Sequence, residues 1–152
     1  MELRTILEKI NFVHRYQNIC KKYNDFDNGM RGNQRKMYDT VIKKFDYSIK
    51  YYNKEKFYRL EHKLSENLML GIQLSLKDGL VEPMLDVYES NDFLTPDGRF
   101  DFIAEELNEN YNRDKYNLPS FTSEKELEEI LKEMFSIFED LKDELSKQEN
   151  IT

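Results

Sequence analysis

The clearest pattern in the chain lies between Leu68 and Leu76, where every even position is Leu or Ile. A period of two is typical of a β-strand that buries one of its faces. Lys77-Asp78-Gly79 follows, and a second alternating run comes after it. Asp-Gly between two such runs predicts a hairpin with a type I′ turn, because both central residues of that turn need a positive φ.

The same turn predicts which residues face each other across the hairpin. A two-residue loop sends all the apolar pairs to one face of the ribbon. The predicted pairs on that face are Leu76–Val81, Leu74–Pro83, Ile72–Leu85 and Leu70–Val87. A slip of one residue would move each of these side chains to the other face, so the pattern and the turn chemistry favour one register.

A third alternating segment, Tyr58–Leu64, precedes the hairpin. A three-residue loop at 65–67 would join it to Leu68, so residues 58–88 are predicted to form a three-stranded antiparallel meander. Pro83 has no amide hydrogen and therefore favours an outer strand. Such a sheet has one apolar face, which predicts a cover of helices.

Helical spacing, with apolar residues three and four apart, occurs on both sides of the meander. Before it, this spacing predicts one helix over Leu3–Tyr23 and a second over Asn33–Tyr52. After it, Phe100–Tyr111 predicts a short acidic helix, and a capping box at Ser123–Glu126 predicts the start of a last helix that runs to about Lys147. The predicted order is α-α-β-β-β-α-α, an α+β fold with two N-terminal and two C-terminal helices.

Length and composition predict a single domain over residues 1–152, with 148–152 as a frayed tail. The longest apolar runs are too short to span a membrane, and the N-terminus lacks the apolar core of a signal peptide. Cys20 is the one cysteine and cannot form an internal disulfide. A cytoplasmic protein without membrane contact is therefore the expectation.

Acidic residues are concentrated at the C-terminal end. The formal net charge is −7, and residues 97–152 hold 16 Asp or Glu but 7 Lys or Arg. A dense acidic surface can steer a protein onto a basic partner, although a solubilising outer face is the simpler alternative. The outer face of the meander, with Met69, Met84 and Tyr88, is the second predicted contact surface. The acidic residues predicted to contact a partner are Asp101, Glu105, Glu106, Glu109, Glu129, Glu133 and Asp140.

Few residues could carry reaction chemistry. His62 falls on the apolar face of a strand and is predicted to be a core histidine, whereas His14 lies beside an apolar helix stripe as a surface residue. Cys20 lies on that stripe and is predicted to be a buried structural thiol. Neither histidine has a second His or Cys at ligand spacing. We therefore predict no catalytic residues, no cofactor and no metal, with an enzyme that uses His62 in a polar cleft as an open alternative.

Residues 35–59 combine Lys and Arg with several Tyr. Cations can neutralise phosphates and aromatic rings can stack on bases, so a nucleic-acid-binding regulator is an alternative function. Asp39, Asp46 and Glu55 interrupt this positive charge, and the whole chain is acidic. A protein partner is therefore favoured over nucleic acid.

Four segments carry a resemblance of pattern and element order: Asn67–Ile72, Asp78–Pro83, Asp97–Ala104 and the helix Leu127–Leu141. Through them, residues 57–141 resemble small bacterial immunity proteins that are encoded beside polymorphic toxins, including those of the LXG-type secretion class. The resemblance implies a non-enzymatic cytoplasmic protein that binds one toxin domain and occludes its active site. Toxin domains that attack nucleic acids are often basic, so an acidic face would complement them.

Overall fold

The computed structural model describes residues 2–151, with side chains described to Gln148. It confirms an α+β fold with an antiparallel sheet, although the layout differs from the predicted one. The helices of the described chain are α1 (Leu3–Lys9), α2 (Phe12–Lys22), α3 (Arg35–Ile42), α4 (Phe100–Leu107) and α5 (Glu124–Ile151), with a 3-10 turn at Phe26–Asn28. The strands are β1 (Lys50–Tyr52), β2 (Phe57–Ser65), β3 (Leu68–Lys77), β4 (Leu80–Glu89), β5 (Asp92–Phe93) and β6 (Gly98–Arg99).

The sheet has the order β1-β2-β3-β4-β5, and β6 also pairs with β4. All pairs are antiparallel, and the four predicted apolar pairs of the β3–β4 hairpin are confirmed. The predicted three-residue loop before β3 is wrong, because Ser65 pairs with Leu68 and a bulge interrupts the register between Lys63 and Ser65. The sheet is also larger than the predicted meander, since β1, β5 and β6 extend it on both sides.

Two predicted N-terminal helices are corrected. The first is divided into α1 and α2, because Asn11 adopts a left-handed conformation with φ of 61° and breaks the hydrogen-bond ladder. The second ends at Ile42, and its predicted last turn is instead β1, where the ring of Tyr51 packs on Tyr58 with centroids 4.7 Å apart. Helix α5 extends to Ile151, but Thr152 and the side chains of 149–151 lie outside the described residues, so the frayed tail stays a prediction.

The core lies between the helices and one face of the sheet. α5 packs on β2 and on α1, α2 and α3, while α4 packs on α2 and β4. Phe100 is fully buried against Phe12 and Tyr16, with ring centroids 5.0 and 5.4 Å away. The sheet residues buried in this core include Leu70, Ile72, Leu74, Val81, Leu85 and Val87. The alternate side chains of β2, β3 and β4 form the opposite face, called the outer face, and are half-buried or exposed.

The β3–β4 turn also fixes a long loop. Asp78 and Gly79 have φ of 53° and 77°, which confirms the predicted left-handed conformation at both positions. The Asp78 carboxylate accepts a hydrogen bond from the Gly32 amide at 2.8 Å, and the Gly79 carbonyl accepts one from the Phe121 amide at 2.8 Å. A Cβ on Gly79 would lie 2.7 Å from the backbone nitrogen of Met30. The turn therefore needs glycine both for its conformation and for this close approach.

We expect Gly79→Ala to lower the free energy of unfolding by about 2 kcal/mol, because left-handed strain adds to displacement of a neighbouring backbone. Gly32→Ala is a matched control, since Gly32 also has a positive φ of 80° but a Cβ there would meet no atom within 4 Å. That variant should lose about 1 kcal/mol from backbone strain alone. Denaturant unfolding followed by circular dichroism measures both values. Equal losses would show that the close approach contributes nothing.

Candidate partner-binding surface

Asp101 is a correction to the predicted acidic surface. It lies in the first turn of α4 and is fully buried, so the prediction that it contacts a partner from an exposed face is wrong. Its carboxylate accepts two hydrogen bonds from Arg99, both of 2.9 Å, and lies 3.2 Å from Nε of Arg113. Asp101 therefore holds two arginines in place.

The other predicted acidic residues of this region are exposed. Glu105 and Glu106 lie on α4, and Glu109 follows just after its end. Glu105 accepts a hydrogen bond from Arg113 at 3.1 Å with about half of its side chain, 47%, still exposed. These three residues present negative charge to solvent at the C-terminal end of α4.

The predicted acidic residues of α5 are partly used within the fold. Glu129 accepts a hydrogen bond from the Tyr23 hydroxyl at 3.3 Å, and Asp140 forms an ion pair with Arg15 at 2.7 Å. Glu133 is exposed. Because two of these three carboxylates bind residues of α2 or its end, the acidic face of α5 joins the helices to each other as well as facing solvent.

Glu139, which was not among the predicted contacts, fixes the chain that leads into β1. It accepts a hydrogen bond from the Tyr47 hydroxyl at 2.7 Å and forms an ion pair with Lys142 at 2.8 Å. Burial alone would raise the pKa of Glu139, but the hydrogen bonds from Lys142 and Tyr47 hold it below its usual value. The carboxylate is thus charged and bonded at neutral pH.

Met84 and Tyr88 lie on the outer face, as predicted, and both are half-buried. Each is paired with a residue of a two-residue strand that lies beside β4, on the side away from β3. Met84 is opposite Arg99 in β6, and Tyr88 is opposite Phe93 in β5 with ring centroids 5.0 Å apart. Phe93 is 59% exposed, the largest value among the large hydrophobic residues of the described chain.

Phe102 is a surface residue that the sequence did not identify. It is 42% exposed, and its ring lies 4.0 Å from the Arg113 guanidinium and 4.9 Å from the Arg99 guanidinium. Asp101 holds both of these arginines, so the ring of Phe102 contacts two oriented guanidinium groups. One signal was available, since Phe102 is apolar yet lies off the buried stripe of α4 that includes Phe100 and Ile103.

These side chains form one surface, named the β4-edge cluster. Its members are Met84, Tyr88, Phe93, Arg99 and Phe102. Met84 and Tyr88 lie on the outer face of β4, Arg99 and Phe93 are their cross-strand neighbours, and the ring of Phe102 contacts Arg99. The cluster combines exposed aromatic rings, a methionine and an arginine, which are residue types enriched in protein–protein interfaces.

The middle of the outer face is closed by its own residues. Arg59 and Asp86 form two hydrogen bonds of 2.9 and 3.0 Å across the central strand. They pass directly over Gly71, where a Cβ would lie 2.8 Å from the Asp86 carboxylate. The apolar side chains of the outer face therefore lie on either side of this pair, with Tyr52 and Phe57 towards β1 and Met84 and Tyr88 on β4.

The histidines and the cysteine lie apart from this surface. His14 is exposed, as predicted, while His62 is half-buried on the helix-facing side instead of lying fully in the core. Cys20 is buried, as predicted, and burial raises the pKa of its thiol to about 12. In the described part of the chain, no group of three or more His, Cys, Asp or Glu residues could hold a metal ion.

The basic and Tyr-rich segment 35–59 is used in part within the fold, while Lys36, Lys43, Lys50, Lys54 and Lys56 are exposed. The Arg35 guanidinium lies 3.3 Å from the centroid of the Tyr51 ring and donates a hydrogen bond to Asp39 at 2.8 Å. Lys44 forms an ion pair with Glu128 at 3.0 Å. These contacts occupy two of the cations and one face of the Tyr51 ring.

None of the helices across residues 2–151 combines the length and the apolar composition of a membrane span. Comparisons with known proteins give no family for the chain: no protein-family model matches it, and neither the curated proteins nor the solved structures include a significant match.

Proposed function

We propose that this chain is a non-enzymatic binding protein that neutralises a bacterial toxin domain by direct contact, as immunity proteins do. The observation that carries the proposal is the β4-edge cluster, and above all Phe102, which is exposed yet in contact with two guanidinium groups. The contact surface is therefore this cluster together with the end of α4, and the acidic face of α5 is secondary.

The cluster has the properties of an anchor for a tight complex. A few aromatic and arginine side chains supply most of the binding energy in protein interfaces. An exposed side chain that is already fixed loses little conformational freedom on binding. Asp101 fixes Arg99 and Arg113, and these in turn flank Phe102. The surface is thus arranged for contact before a partner arrives.

The charge beside this anchor favours a basic partner. Glu105 and Glu106 follow Phe102 by three and four residues, which puts them on the same side of α4 as its ring. Glu109 continues the negative charge. Exposed charges at the rim of an interface mainly raise the association rate and select the partner by sign. A toxin domain that binds nucleic acid has the basic surface that this rim would attract.

Growth protection tests the proposal. A toxin domain is sought at the C-terminus of a secreted protein encoded beside this chain, and it is expressed in a bacterial host with or without the chain. We expect the domain alone to stop growth and the chain to restore it. A neighbouring toxin whose effect the chain leaves unchanged, or the lack of any such neighbouring gene, would contradict the proposal.

Reversal of the rim charge provides a variant for the same assay. Glu105, Glu106 and Glu109 are exposed, so changing all three to Lys should leave the fold intact. Protection should weaken, and binding in solution should weaken most at low salt, where unscreened attraction contributes most. Full protection by this variant would exclude the acidic rim from the contact.

A further inference from the structure

The sheet has one long edge without a strand partner in the described chain. β1 pairs with residues 57–59 of β2, so the side of β2 away from β3 is unpaired from Leu60 to Ser65. Upstream of β1, the chain turns to the helices, where the ring of Tyr47 packs on Phe135 with centroids 4.9 Å apart. An unpaired row of backbone amides and carbonyls is a template for another strand.

The residues along this edge are complementary to themselves. Glu61 and Lys63 are exposed on the outer face, on either side of His62. If a second copy pairs antiparallel with His62 facing its counterpart, Glu61 of each copy faces Lys63 of the other. On the helix-facing side, Leu60 of each copy then faces Leu64 of the other. Opposite charges and apolar pairs directly across two strands both stabilise a sheet.

The neighbouring registers are unfavourable. The apolar side chains of both copies stay on one face only if the centre of the antiparallel pairing moves by a whole residue. The two nearest alternatives are therefore centred on Glu61 and on Lys63. A centre at Glu61 places two glutamates opposite each other and Arg59 opposite Lys63. A centre at Lys63 places two lysines opposite each other. Like charges directly across strands are destabilising, so the register centred on His62 is selected.

The ends of the edge fit this register. Arg59 is already paired with Lys50 on this edge, so the shared ladder would run from Leu60 to Leu64, and the chain turns back into β3 just after Ser65. The bulge between Lys63 and Ser65 ends the regular ladder there. The shared ladder is therefore short, and an interface of this size is expected to dissociate on dilution.

We infer that the β2 edge binds a second copy of this chain, in antiparallel pairing centred on His62, and joins the two sheets into one. This dimer does not depend on the proposed function, because the β2 edge and the β4-edge cluster lie at opposite sides of the sheet. Each copy would keep its cluster free.

Sedimentation equilibrium of the full chain over a range of concentrations tests the inference. The wild type should approach twice the mass of one chain at high concentration. Glu61→Lys and Lys63→Glu should each weaken association at least tenfold, since each places like charges opposite one another twice. The double variant Glu61→Lys/Lys63→Glu should regain association, because it restores both cross-strand pairs. Glu82→Lys, on the outer face of β4, is the matched control and should associate as the wild type does.

Circular dichroism melting of each variant separates loss of association from loss of folding, which matters because Glu61 also pairs with Arg59 within the chain at 3.1 Å. A wild type that remains monomeric at all concentrations would overturn the inference, and this includes the case in which another protein occupies the edge. A dimer that persists in both single variants would show that the two copies do not associate through the β2 edge. A folded double variant that stays monomeric would overturn the register.

Discussion

Replacing Asp101 with asparagine is expected to lower the free energy of unfolding by about 3 kcal/mol, because a buried charge pair broken at one partner leaves the other charge uncompensated. Asp101 is fully buried and binds both Arg99 and Arg113. The side chains of those arginines are 27% and 36% exposed, so water can still solvate part of each charge. The loss of unfolding free energy should therefore lie at the low end of the range for broken buried charge pairs. Denaturant unfolding of Asp101→Asn measures the value.

Glu105→Gln is the matched control, since Glu105 also binds Arg113, at 3.1 Å, but from an exposed position. Exposed ion pairs contribute little, so this variant should lose less than about 1 kcal/mol. If the two variants lose the same amount, Asp101 does not organise this region. Asp101→Asn should also weaken toxin binding, even though Asp101 cannot reach a partner, because Arg99 and Arg113 would no longer fix the ring of Phe102.

The centre of the fold could be predicted from sequence because two independent signals agree there. The alternation of β3 defines a face, and the Asp78-Gly79 turn defines a register, so each pair between β3 and β4 follows from local chemistry. The start of α5 is similar, since Ser123 accepts a hydrogen bond from the Glu126 amide at 3.1 Å, although the Glu126 carboxylate reaches back to the Thr122 amide in place of the Ser123 amide of the predicted capping box. In both places the residues that decide the structure are close in sequence.

The edges of the fold depend on contacts between distant residues and could not be predicted in this way. The apolar stripe of the first helix continues past Asn11, so it gives no sign that the backbone breaks there. Tyr52 has helical spacing although Tyr51-Tyr52 is β-prone, and the structure places both in a hairpin, where Tyr51 packs on Tyr58. The strands β5 and β6 have two residues each, too few to show a period.

The candidate surface also depends on contacts between residues that are distant in sequence. Helical spacing placed Asp101 beside the other acidic residues, but its burial depends on Arg99 and Arg113, of which one lies before α4 and the other after it. Glu105 and Glu106 were placed correctly as exposed. Composition gives the number of acidic residues, whereas the tertiary structure decides which of them stay available to a partner.

The most direct measurement compares two phenylalanines that are equally exposed but lie on different surfaces. Phe102 is 42% exposed in the β4-edge cluster, and Phe26 is 43% exposed in the turn after α2. Calorimetric titration of the toxin domain gives the affinity of Phe102→Ala and Phe26→Ala. We expect Phe102→Ala to bind about 100-fold more weakly, as loss of a central aromatic anchor does, and Phe26→Ala to bind within about twofold of the wild type. Equal affinities for both variants, or a larger loss for Phe26→Ala, would contradict binding through the β4-edge cluster.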